Sequence, residues 1–178
     1  MNKIILIIVL IGLTACSKEP QEPSFYSLGI TNDTIIERFE MHGFNFNSSD
    51  SVYQQPLTIG LSRDNNATIH LIGPKDDLVN IKIVMRLSKS FGKPKLQLLL
   101  SYLEDMITLV YPNWEGGKQW LEDNALGLSR TGSRSKAIND IKLTLVVSKK
   151  NMTMGLIFGD LDNVPTYDSK TKLWKNNN

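Results

Sequence analysis

Three consecutive stretches of this chain alternate apolar and polar residues, and that period of two restricts the fold more than any other feature. Leu57, Ile59 and Leu61 alternate with Thr58, Gly60 and Ser62. Ala67, Ile69 and Leu71 alternate with Thr68 and His70, and Val79, Ile81, Ile83, Met85 and Leu87 with Asn80, Lys82, Val84 and Arg86. Successive side chains of a strand point to opposite faces, so each stretch reads as a half-buried strand. Arg63-Asp64-Asn65-Asn66 and Gly73-Pro74-Lys75-Asp76-Asp77 separate them as turns. Strands joined this closely form an antiparallel meander. Two more strands are expected late in the chain. Ile141, Leu143, Leu145 and Val147 alternate with Lys142 and Thr144; Met152, Met154, Leu156 and Phe158 follow a turn at Lys149-Lys150-Asn151.

Other segments carry helical signals. Thr31 or Asn32 can cap a helix, Asp33 and Glu37 suit its positive end, and Ile35, Ile36 and Phe39 form its apolar stripe. Gly43 is its natural stop. Pro94 opens a second helix whose apolar face is Leu96, Leu99, Leu100, Leu103, Ile107 and Val110, and Pro112 closes it. A shorter helix is expected from Trp114 to Asn124, burying Trp120 and Leu121. Residues 129–135, with Arg130, Gly132 and Arg134, read as a basic loop. The order is therefore α-β-β-β-α-α-β-β. It predicts a single α+β domain over residues 28–160: a mostly antiparallel sheet of about five strands with helices on one face. Ile35, Phe39, Ile81, Ile83, Leu99, Leu103, Leu143 and Leu145 are its expected core. With 41% hydrophobic residues the chain can build one.

The face away from the helices is the surface the sequence nominates for binding. Alternation assigns to it Thr58, Gly60, Thr68, His70, Lys82, Val84, Arg86, Lys142, Thr144, Val146 and Thr153. Of these, His70, Lys82, Arg86 and Lys142 are the candidate binding residues. They suit an acidic partner, or one rich in hydrogen-bond acceptors.

Catalytic motifs are scarce. The chain has two histidines, His42 and His70. His42 follows the first helix, where a cation favours the last carbonyls. His70 has no metal ligand adjacent in sequence. The sequence holds no His-Glu-x-x-His, no Gly-x-Ser-x-Gly and no phosphate-binding glycine loop. Asp76-Asp77, Glu104-Asp105 and Glu122-Asp123 are neighbours, and neighbours on a helix diverge by about 100°, which makes them poor acid–base pairs. Neither a catalytic set, nor a metal site, nor a cofactor is expected. Twenty basic residues against eighteen acidic ones give a formal charge of +2, which offers no pull toward nucleic acid. Two classes of function remain. One is a non-catalytic binding module; the other is an enzyme with a dispersed site, with His70 the first residue to suspect.

The N-terminus places the chain in a compartment. Met1-Asn2-Lys3 is a short basic start, Ile4 to Ile11 an unbroken apolar run, and Leu13-Thr14-Ala15-Cys16 follows. This is the layout of an export signal, far shorter than the roughly 20 apolar residues that span a bilayer. Leu-Thr-Ala-Cys resembles the lipobox of bacterial lipoprotein signal peptides. The resemblance covers residues 1–16 and implies a signal peptide over 1–15, cleavage before Cys16 and lipid on that cysteine. Cys16 is the sole cysteine, so no intramolecular disulfide forms. A diacyl or triacyl group meets the two-chain requirement for stable anchoring. Residues 16–27, with Pro20 and Pro23 among charged side chains, then read as the lipidated cysteine and a tether, and 161–178 as a polar tail on which Leu173 and Trp174 could dock. The resemblance implies a cell-envelope protein held on a membrane, its partner an envelope protein or an anionic envelope component. Ser17 after the cysteine implies the outer membrane, facing the periplasm, in a Gram-negative cell; a Gram-positive cell membrane is the other host. The opening helix and strands are loosely similar to small outer-membrane assembly lipoproteins, a likeness of fold that identifies no partner.

Overall fold

The computed structural model describes residues 25–127 and 131–159, with the backbone of two short strands, Thr166–Asp168 and Leu173–Lys175. The expected signal peptide, Cys16 and the first part of the tether lie outside the described residues.

Helix α1 spans Asn32–Glu40 and starts where Thr31 accepts a hydrogen bond from the Thr34 amide through its hydroxyl. That bond satisfies one of the amides a helix start leaves open. Four strands follow: β1 (Phe44–Val52), β2 (Gln55–Ser62), β3 (Ala67–Ile72) and β4 (Asn80–Arg86). Helix α2 runs Lys93–Val110 with proline in its first turn, and α3 runs Gly117–Gly127. Strands β5 (Gly132–Ile138), β6 (Ile141–Ser148) and β7 (Thr153–Phe158) complete one seven-stranded sheet, in the order β1-β2-β3-β4-β7-β6-β5. Every neighbouring pair is antiparallel. The α+β class and the antiparallel sheet are as expected.

Four details differ from the expectation. Strand β1 is present although its sequence, FNFNSSDSV, turns polar after two phenylalanines. Strand β5 occupies much of the expected basic loop. Both are edge strands, and edges are commonly polar or charged because apolar ones invite pairing with other chains. The third helix starts three residues after Trp114 rather than at it. Within the expected polar tail, β8 (Thr166–Asp168) and β9 (Leu173–Lys175) pair as a two-stranded ribbon.

One cluster of buried side chains joins all three helices to one face of the sheet. Ile35 and Phe39 of α1, Leu99, Leu103 and Met106 of α2 and Leu121 of α3 meet Ile69, Ile83, Leu145, Leu156 and Phe158 of the strands. The expected core residues are all at most 1% exposed.

Strand β2 faces the other way from the sequence reading. Gly60 stands opposite Phe46 and Ile69 on the helix side, and a Cβ at Gly60 would lie 2.3 Å from the Phe46 ring. Thr58 shares that side and accepts a hydrogen bond from Asn32 Nδ2 at 3.2 Å. Thr58 and Gly60 therefore leave the nominated binding face, and Leu57, Ile59 and Leu61 join it. The reason is a second, smaller apolar cluster on that face: Val52, Leu57 and Ile72, with Phe25, Ile59 and Val79 against them. Phe25 thus packs on the domain, within the stretch expected to be tether.

Candidate functional site

Two places gather polar side chains beyond what the fold needs. The first is the sheet face nominated by the sequence. Strand register places Ile59, His70, Lys82, Ile157, Thr144 and Ser135 in one row across five successive pairings. His70 and Lys82 are direct partners. Lys142 lies beside this row, its carbonyl accepting from the Gly159 amide at 2.8 Å. Arg86 is four residues along β4 from Lys82, about 13 Å at the strand rise, and pairs with Thr153.

The expectation that these four residues share one exposed surface needs correction. Arg86 is exposed, Lys82 and Lys142 are half-buried, and His70 is only 9% exposed. The face is wet at the Arg86 end, where Leu61 and Val146 are also exposed, and closed at the Ile72 end. Burial, reinforced by the nearby Lys82 charge, pushes His70 down to about 4. It is therefore a neutral imidazole at pH 7. Burial also lowers Lys82 below the ordinary lysine value. Among the described residues no carboxylate forms an ion pair with Lys82. Next along β4, Asn80 is fully buried, and neither its amide nitrogen nor its oxygen has a hydrogen-bond partner. An unmet buried polar group costs about 1–3 kcal/mol.

The second place was not found in the sequence. A cleft of about 380 Å³ opens between the end of α1, the β2–β3 turn and the first half of α2. His42 lines it, but not as a cap on α1: its Nε2–H donates to Asp105 Oδ2 on α2 at 2.7 Å. Arg38 donates to the other oxygen, Oδ1, at 2.8 Å. The Tyr102 ring stands edge-on to His42 at 5.4 Å and to Phe44 at 5.2 Å, which fixes the cleft floor to the core. Across the cleft Asp64 accepts from Ser62 Oγ at 2.9 Å, from the Asn66 amide at 3.1 Å and from Lys95 Nζ. Partial burial opposes its charge, but these hydrogen bonds outweigh burial and hold the carboxyl well below the usual range. Asp105 lies 63 residues from His42 and Lys95 lies 31 from Asp64, so no local motif could reveal either pair.

Among the described residues no three histidine, cysteine or carboxylate side chains are placed to hold a metal ion. No described helix is long and apolar enough to cross a membrane. No family model matches the chain, and neither the curated proteins nor the solved structures contain a match to it.

Proposed function

We propose that the chain is a lipid-anchored protein of the bacterial envelope, and that its α+β domain is a non-catalytic module binding an acidic partner across the sheet face away from the helices. The observation that carries the binding half is Lys82. A cation drawn out of water without a counter-charge is unfavourable, and an anionic group brought by a partner relieves it. Exposed Arg86 offers a second cation on the same face, and exposed Leu61 and Val146, each two strands away on either side of β4, offer apolar contact. The competing reading, an enzyme centred on His70, has weaker support. The cross-strand neighbours of His70 are Ile59 and Lys82, which supply neither a carboxylate nor a hydroxyl.

Two experiments test the two halves separately. For the anchor, Cys16→Ala is expected to abolish incorporation of a fatty-acid analogue and block processing, because no other cysteine exists. Continued labelling and membrane retention of that variant would remove the anchor reading. For the face, the lipidated protein is crosslinked in its own envelope, and the acidic partner so captured is followed in a Lys82→Met, Arg86→Glu double variant. Met keeps the lysine's apolar stem and removes the charge, so the fold is expected to persist. Capture is expected to fall while the thermal midpoint stays near wild type. Undiminished capture by the folded double variant would take this face out of consideration.

A further inference from the structure

The cleft beside His42 has no part in the proposed partner face, and its hydrogen-bonding groups are unevenly committed. Both carboxylates at its edges are already engaged: Asp105 by Arg38 and His42, Asp64 by Ser62, Asn66 and Lys95. The donors are not fully so. Arg63 makes no ion pair among the described residues, and the Tyr102 hydroxyl makes no hydrogen bond to them. Lys95 has ammonium protons beyond the one on Asp64. Arg63, Lys95 and Tyr102 thus present donor capacity that no acceptor among the described residues takes up. Leu98, on the same face of α2 as Lys95 and Tyr102, and Met41 expose apolar surface at the rim, 41% and 74%. The volume falls within the range of small-molecule sites, about 300–1,000 Å³.

We propose that this cleft is a binding site for a small soluble molecule with one oxyanion group, a carboxylate or a phosphate, on a compact apolar body. The oxyanion sits among Arg63, Lys95 and the Tyr102 hydroxyl, where ionic hydrogen bonds are the strong ones. The apolar body rests on Met41 and Leu98. Asp105 fixes the His42 ring through Nε2, so the imidazole closes one wall in a set orientation and offers Nδ1 as an acceptor for a hydroxyl of the ligand.

The two histidines provide the readout. Full-length protein in detergent micelles, labelled with ¹³C in the histidine rings, is titrated with benzoate, phenyl phosphate, inorganic phosphate and benzyl alcohol. Benzoate or phenyl phosphate is expected to move the His42 signal saturably and leave that of His70 in place. Benzyl alcohol lacks the charge and inorganic phosphate lacks the apolar body, so each is expected to bind about tenfold more weakly or worse. Arg63→Ser, at an exposed turn, is expected to weaken phenyl phosphate by about tenfold, with an unmoved His70 signal reporting an intact fold. Three results would overturn the proposal: no saturable shift at His42, benzyl alcohol or inorganic phosphate matching phenyl phosphate, or an Arg63→Ser variant that binds as well as wild type.

Discussion

Phe39→Ala is expected to lower unfolding stability by about 3–5 kcal/mol, the usual cost of removing a buried aromatic ring. Phe39 is fully buried on α1. Its ring lies 5.2 Å from Phe44 of β1 and 6.2 Å from Tyr102 of α2, both edge-on. The side chain thus holds a short helix to both layers at once, and α1 has only nine residues with which to do so. Helices this short are not stable alone in water, so α1 depends on that burial. Domains of this kind have about 5–15 kcal/mol in total, which makes the loss a large fraction of the whole. Met41, two residues on and 74% exposed, provides the control. Met41→Ala is expected to change stability by about 0.5 kcal/mol or less. Urea unfolding followed by tryptophan fluorescence measures both. Equal midpoints for the two variants would contradict the role assigned to Phe39.

What was legible in the sequence follows from how each contact is encoded. Buried positions at helical or strand period could be read because local alternation reports local burial: Ile35, Phe39, Leu99 and Leu103 on the helices, Ile81, Ile83, Leu143 and Leu145 on the strands. The hairpin from β1 to β2 was hidden because its two-residue loop is Tyr53-Gln54, at φ 49° and 62°. Such loops favour Asn and Gly, and neither residue announces one. The matching loop between β5 and β6, Asn139-Asp140 at φ 48° and 64°, carries the expected residue types, but β5 itself has almost no apolar residue to mark it as a strand. Strand β2 shows a deeper limit. Its alternation fixes which residues share a face and not which face the helices cover. Only the pairing of Gly60 with Phe46 and Ile69 decides that. The His42–Asp105 contact joins residues 63 apart, a distance at which a single sequence carries no local signal.

Acidification from pH 7 toward pH 4 is expected to lower the stability of the protein by about 3 kcal/mol through His70 alone. In the unfolded chain a histidine titrates near 6.5, whereas burial beside Lys82 pushes folded His70 down to about 4. The unfolded state therefore binds a proton that the folded state refuses throughout that interval. Where the unfolded state binds more protons, stability rises with pH. The contribution is complete above about pH 6.5, declines as pH falls, and is gone near pH 4, where folded His70 takes the proton too. At about 1.4 kcal/mol per unit, the gap of roughly two and a half units gives the figure above. Asp64 acts in a separate window. Its carboxyl is held down in the folded state, so its contribution disappears only as pH drops below the ordinary carboxylate value. His70→Gln isolates the effect, since the amide stays polar and does not ionise. Stability of both proteins is measured by denaturant unfolding at intervals from pH 7 to 4.5. The wild type is expected to slope downward toward acid and the variant to slope distinctly less. Parallel slopes would show that the imidazole is protonated as readily in the folded protein as in the unfolded chain, and that the closed end of the sheet face admits water to His70.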